Sequence, residues 1–168
     1  MCARFEIRKA SVTDIPKIRE MAAVVFPDTY KDILLPDQVV YMMEWMYSEE
    51  SLHKQMEEEG HIYYIAYCDE VAVGYLSIQP EGKGVYHLQK LYVMGLHQGK
   101  RIGQRLYEHA VRTVKELHPA PCQMRLNVNR ENKALAFYEK MGMTKVGEGD
   151  FPIGNGYYMN DYIMGVEL

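Results

Sequence analysis

The residue pattern predicts an α+β chain, with mixed α/β character, folded around a single mixed sheet flanked by helices. Three observations carry this prediction. Short segments alternate apolar and polar residues at the period of a strand, longer ones repeat apolar residues at helical spacing, and the two kinds are interleaved along the sequence. At 168 residues the chain reads as one domain, 1–168, long enough to bury about two-thirds of the surface that its unfolded form exposes.

Phe5 and Ile7 alternate with polar neighbours and read as a first strand. Ser11 and Asp14 form an S-x-x-D capping box ahead of Ile15, Ile18, Met21, Ala22 and Val25, which recur on one helical face. Residues 26–35, containing Pro27, are expected to form a loop; Pro36 and Asp37 then start a helix through Val40, Met43, Glu44 and Tyr47, and another helical piece follows from Glu49 to Glu58. His61–Tyr67 and Val71–Gln79, rich in Ile, Val, Tyr and Leu, read as a hairpin turning at Cys68, Asp69 and Glu70. After a turn at Glu81–Gly84, Val85–Val93 is a strand, and Ile102–Leu117 is a helix whose Ile102, Leu106, Ala110, Val111, Val114 and Leu117 make one apolar face, stopped by Pro119 and Pro121. Met124–Val128 alternates as a half-buried strand, and Ala134, Phe137, Tyr138 and Met141 mark a helix with Gly142 as its C′ residue. Met143–Gly147 and Tyr157–Glu167 supply two final strands.

The net charge of −4 argues against nucleic acid as the principal partner. The charge is unevenly spread. Residues 28–60 hold nine carboxylates against Lys31 and Lys54, a net of −7 that leaves +3 for the rest. Such an acidic lobe beside a mildly basic body suits a cationic substrate and a polyanionic cofactor. Cys2, Cys68 and Cys122 are odd in number and lack C-x-x-C spacing, so reduced, unpaired thiols and no metal site are expected. The first ten residues lack an apolar leader core, and no stretch approaches the roughly twenty apolar residues of a membrane span, so a cytoplasmic protein without a membrane partner is expected.

Gln98, Gly99, Lys100, Arg101, Ile102, Gly103 and Gln104 lie between a strand and a helix. A helix start offers free backbone N–H groups and the positive end of a dipole, which suits a pyrophosphate. Nucleotide alternatives fall away because neither G-x-x-x-x-G-K-[ST] nor G-x-G-x-x-G is present. A strand, then Q-x-x-x-x-G, then a helix, a strand and N-x-x-A-x-x-F-Y-E-K-x-G from Asn132 to Gly142 resembles the GNAT superfamily of acyl-CoA-dependent N-acetyltransferases. The resemblance covers Phe5 to Leu168 and is strongest from His87 to Gly147. It implies a single mixed, mostly antiparallel sheet, acetyl-CoA as cosubstrate, and no metal. It further implies that the main chain of Leu91, Tyr92 and Val93 holds the pantetheine arm in a gap between two parallel strands. The amides of Gly99–Gln104 then hold the pyrophosphate, Asn132 contacts the cofactor, and Tyr138 protonates the departing thiolate. Periodicity alone would make Tyr138 a packed aromatic residue and Asn132 an N-cap. Arg101 departs from the family pattern by standing in the first glycine position, where it either displaces the cofactor or adds a phosphate contact; Lys100 and Arg105 favour the contact.

Direct transfer to an amine requires the amine neutral, which for a pKa near 10.4 is a cost of about 4.6 kcal/mol at pH 7. Family members often place a glutamate on the strand before the loop, but Gln89 and Lys90 stand there. His87, two residues earlier, is the favoured base, with Glu44 and Asp28 as the others. A backbone N–H within Leu91–Val93 would polarise the thioester oxygen, and no cysteine nucleophile is needed. Phe26–Tyr30, Tyr47–Leu52 and Gly154–Met164 resemble a bacterial subgroup that includes spermidine and spermine acetyltransferases. That points to a small polyamine acceptor, met by Asp28, Tyr30 and Glu44 and by the aromatic faces of Trp45 and Tyr47. The alternatives are an acetyltransferase acting on a protein N-terminus or lysine, and a noncatalytic acyl-CoA-binding domain. Exposed strand edges near the C-terminus allow a homodimer.

Overall fold

A computed structural model describes residues 2–168. Its strands are β1 (Phe5–Lys9), β2 (Ile62–Cys68), β3 (Val71–Gly82), β4 (Val85–Val93), β5 (Gln123–Asn129), β6 (Thr144–Gly154) and β7 (Tyr157–Glu167). Its helices are α1 (Ile15–Tyr30), α2 (Pro36–Tyr47), α3 (Glu49–Glu57), α4 (Ile102–Leu117) and α5 (Ala134–Lys140). The strands form one sheet in the order β1-β2-β3-β4-β5-β7-β6. Every neighbouring pair is antiparallel except β4 and β5, which run parallel, as a strand–helix–strand crossover through α4 requires. The mixed, mostly antiparallel sheet expected from the sequence is therefore present.

Each sheet face carries its own core. Ala66, Val73, Leu76 and Leu88 meet Leu106, Ala110 and Val114 of α4 on one side, while Tyr63, Ile65, Tyr75 and Met159 meet Ile18, Ala22, Phe26 and Met42 on the other. The period-two alternation of the strands is what sends successive side chains to these two cores.

Four expectations need correction. Helix α1 runs on to Tyr30, through the first half of the residues assigned to a loop and with Pro27 inside it, so that only residues 31–35 form the loop. Phe26 and Tyr30 are both buried, with ring centroids 4.7 Å apart, and the missing Pro27 N–H frees only the carbonyl of Ala23, which is exposed. Strand β6 extends to Gly154 rather than stopping at Gly147, because Phe151 and Ile153 continue the inward alternation and Asn155-Gly156 closes the hairpin with φ of 53° and 78°. Strand β3 also continues three residues past Gln79.

The fourth correction concerns the thiols. Cys2 and Cys68 form a disulfide with a Cα–Cα distance of 5.2 Å, leaving Cys122 free and buried. Their 66-residue separation hid the pairing, but β1 lies against β2 with Phe5 opposite Cys68, and the Asp69 carboxylate accepts from Arg4 N at 2.8 Å. No helix among the described residues is long and apolar enough to cross a membrane.

Candidate active site

The parallel strands touch only briefly. β4 and β5 pair at Val85–Gln123, Tyr86–Met124 and His87–Arg125, and then separate. Gln89 sits in a bulge: Lys90 pairs with Ser77 and Leu88 with Ile78, so one residue of β4 has no partner on β3. From that point β4 bends away from β5, and a cleft of about 1180 Å³ opens, lined by Leu88–Val93 on one wall and Leu126–Val128 on the other. The backbone of Leu91–Val93 pairs with β3 along one edge and presents its other edge to this cleft.

The cleft continues to the start of α4, where Gln98, Gly99, Arg101, Ile102, Gly103 and Gln104 line it. Gly99 has φ +82° and Arg101 φ 62°, so the loop takes two left-handed turns before the helix. The start of α4 has no side-chain cap and no acidic residue in its first turn, leaving its first N–H groups and dipole free to face an anion. A Cβ at Gly103 would lie 3.6 Å from the Phe137 ring and 3.8 Å from Val93 Cγ2, so glycine there keeps space open between α4, α5 and β4. These features fit the diphosphate and pantetheine of a coenzyme A thioester. Lys100 and Arg101 are exposed beside the amides, whereas Arg105 stacks on the Phe5 ring at 4.1 Å and adds nothing to the loop. Gln98 donates to the Val93 carbonyl at 3.1 Å, tying the loop to the end of β4.

Asn132 and Tyr138 also line the cleft. The Asn132 side-chain oxygen accepts from Ala134 N at 2.9 Å, a capping role that leaves its amide N–H₂ unused by the cap. Tyr138 is 8 % exposed, and burial pushes its phenol upward, so it stays protonated and able to donate. Tyr30 reaches the same place from the last turn of α1; burial raises its phenol too, opposed by hydrogen bonding to Tyr92 and Asn132 and reinforced by the Asp161 charge.

His87 stands at the last paired position before the strands part. Its Nδ1 lies 3.1 Å from Glu81 Oε1, and burial, only partly offset by Glu81, lowers its pKa below 6.5. With Glu81 accepting from Nδ1–H, a neutral ring has Nε2 free to accept a proton. Asp28 lines the cleft but pairs with Lys31 at 3.1 Å, while Glu44 lines a separate depression of about 570 Å³ between α1 and α2. The structure therefore brings Tyr30 and Asp28 to the cleft that Leu91–Val93 and the start of α4 line, and leaves Glu44 on the far flank of α2 and His87 outside the residues that line it. Tyr47 is buried and offers its ring to Lys90 at 5.3 Å, so it does not face an incoming cation.

Two buried polar groups escaped the sequence reading. Lys90 Nζ donates to Gln55 Oε1 at 2.7 Å and to Tyr63 OH at 2.6 Å, and burial lowers its pKa from 10.5 to about 7. Asp161 on β7 accepts from Asn127 Nδ2 at 3.2 Å, and burial raises its carboxyl. The signal for Asp161 was an acid two residues after the buried Met159, on the same face of a strand; the bulge at Gln89 that turns Lys90 into the core has no signature in the sequence.

A family model described as an acetyltransferase (GNAT) domain matches residues 35–154, and the chain belongs to that family. It is accordingly an N-acetyltransferase that uses acetyl-CoA. Among curated relatives, a spermidine N(1)-acetyltransferase of Thermoplasma acidophilum is 27 % identical over 150 residues, covering 86 % of this chain and 91 % of its own. An uncharacterized N-acetyltransferase of Lactobacillus delbrueckii subsp. lactis is 22 % identical over 160 residues, covering 89 % and 90 %. Among solved structures, the PaiA N-acetyltransferase of T. acidophilum in complex with coenzyme A superposes with a TM-score of 0.81 at 24 % identity, covering 98 % of this chain and 99 % of that one. An N-acetyltransferase from Rhodopseudomonas palustris gives a TM-score of 0.81 at 18 % identity, covering 100 % and 98 %.

Proposed function

We propose that this chain acetylates a primary amine of a small polyamine by direct attack on acetyl-CoA in a ternary complex. The observation that carries the reading is the composition of the cleft. The space that Leu91–Val93 and the α4 start line is also lined by Asp28, paired with Lys31, and by Asp32 just after α1, so one opening offers both an anion site and carboxylates for a multivalent cation. The net charge of −7 over residues 28–60 and the resemblance to a spermidine acetyltransferase agree with it.

In this reading the acetyl carbonyl lies beside the β4 bulge, where a main-chain N–H polarises its oxygen. The neutral amine attacks the carbonyl carbon, a C–N bond forms, the C–S bond breaks, and Tyr138 supplies a proton to the leaving sulfur. Tyr138 recovers a proton from the nitrogen, which attack has left positively charged, and the product is a neutral amide. Release of free thiol from acetyl-CoA with spermidine, spermine and putrescine, compared with amino acids and peptides, tests the acceptor. Turnover with peptides alone would overturn it. Tyr138→Phe is expected to lower kcat about 100-fold while leaving acetyl-CoA affinity within about twofold, measured by thiol release and calorimetry.

A further inference from the structure

The gap between β4 and β5 opens between two side-chain amides. Gln89 of the β4 bulge and Asn127 of β5 are both exposed, and both line the cleft. Each stands two residues beyond the last paired position, His87 with Arg125. Met124, Leu126 and Val128 enter the core beneath α4, so Asn127 lies on the other face of the sheet. Gln89 is bonded to Gln79, which shares that face with Tyr75. The two amides therefore occupy one face, one on each wall of the gap.

Their orientations are set by partners that can only accept. The Glu59 main-chain carbonyl takes Gln79 Nε2 at 3.0 Å, which leaves Gln79 Oε1 to accept from Gln89 Nε2 at 2.8 Å. The Asp161 carboxylate takes Asn127 Nδ2 at 3.2 Å. An amide carries its donors on one atom and its acceptor on the other, so Gln89 Oε1 and Asn127 Oδ1 are the ends left for the cleft. Neither oxygen accepts a hydrogen bond among the described residues. The cations beside them in sequence are engaged elsewhere: Lys90 Nζ bonds Gln55 and Tyr63 in the core, and Arg125 Nε donates to Gln123.

We infer that Gln89 Oε1 and Asn127 Oδ1 seat the acceptor nitrogen and select one that carries two N–H bonds, a primary amine. This rests on the polyamine reading above and deepens it. A primary amine donates one N–H to each oxygen, and its tetrahedral geometry then aims the lone pair away from both, into the gap between the strands. A secondary amine satisfies one oxygen and strands the other, which a site built to accept hydrogen bonds penalises. Both amides are neutral and too weakly basic to take a proton, so they orient the nitrogen, and an ammonium first loses its third hydrogen to water in the open cleft. The lone pair then forms the C–N bond as the C–S electrons leave with sulfur.

The test compares kcat/KM, by thiol release from acetyl-CoA at one pH, for putrescine and for N,N′-dimethylputrescine, whose nitrogens are both secondary. Wild type is expected to favour putrescine by about 100-fold. Gln89→Met keeps the length of the side chain and removes the oxygen. It should lower kcat/KM for putrescine about 30-fold and for the secondary amine, which can still donate to Asn127, no more than about threefold. Acetyl-CoA affinity by calorimetry should stay within about twofold. Gln79→Met frees the Gln89 amide to turn and is expected to lower the same preference by a smaller factor, an effect on selectivity that a merely structural residue would not produce. Asn127→Ser keeps a donor beside Asp161 and should also lower the preference; should it not fold, the two glutamine variants decide. Equal losses on both amines, or putrescine turnover within about threefold of wild type in Gln89→Met, overturn this inference alone. Wild type that turns over peptides and no free amine overturns the polyamine reading instead, and the loss on the peptide amine in Gln89→Met then decides the seat.

Discussion

Arg101 shows what a single backbone angle demands. It holds φ 62°, ψ 17° at the head of α4, a region that a residue with a Cβ enters at about 1–2 kcal/mol. The position therefore does call for glycine geometry, and arginine adopts it. Arg101→Gly is expected to raise stability by about 1 kcal/mol in denaturant titration. It should also weaken acetyl-CoA binding severalfold at low ionic strength, with the difference shrinking as salt is added. An unchanged affinity would mean that the guanidinium does not meet phosphate. Lys90 makes the opposite compromise, a cation in a core of tyrosines with no carboxylate bonded to it. Its folded pKa of about 7 lies below the ordinary 10.5, so the unfolded chain binds the proton more tightly and stability rises with pH between those values. Lys90→Met should stabilise the fold by a few kcal/mol at pH 6 and lose that advantage by pH 10, as Gln55 and Tyr63 retain their own hydrogen bond.

At the scale of elements, the sequence was most legible where periodicity and punctuation agreed. Helix α4 runs from Ile102 to Leu117 as its apolar face and the following prolines indicate, and Gly142 follows α5 with φ +104°. Legibility failed where burial overrode local signals. Pro27 reads as a breaker, yet Phe26 and Tyr30 pull α1 onward into the core, and that extension carries Tyr30 to the cleft. Gly149 and Pro152 lie beyond the strand expected to stop at Gly147, yet β6 continues through them as an edge strand, where glycine and proline are tolerated. The cleft-lining residues at the start of α4 were legible because a local motif encodes them. Asp161 and Lys90 were not, because their surroundings are assembled from β7, β5, α3 and β2 through long-range pairing. The Cys2–Cys68 bond belongs to the same category. Closing a 66-residue loop, it contributes up to about 4 kcal/mol by the chain-entropy account. Cys68→Ser should lower the denaturation midpoint without altering acetyl-CoA affinity, because β1 and the β2–β3 turn lie outside the cleft.

Across the molecule, two separate cores share one sheet, and the sheet is held between its halves by three paired positions of β4 and β5. Neighbouring strands elsewhere are joined along five to nine positions. A coenzyme thioester lodged between β4 and β5 would make the missing backbone contacts itself, so stability and binding are linked. At 100 times its Kd the ligand should add about 2.7 kcal/mol to unfolding. The narrow seam gives the molecule a line of weakness resembling a book's spine. Amide hydrogens on Leu126–Val128 should exchange through a local opening of the two leaves rather than through global unfolding, and a bound donor should act as a clasp that slows them more than any others in the sheet.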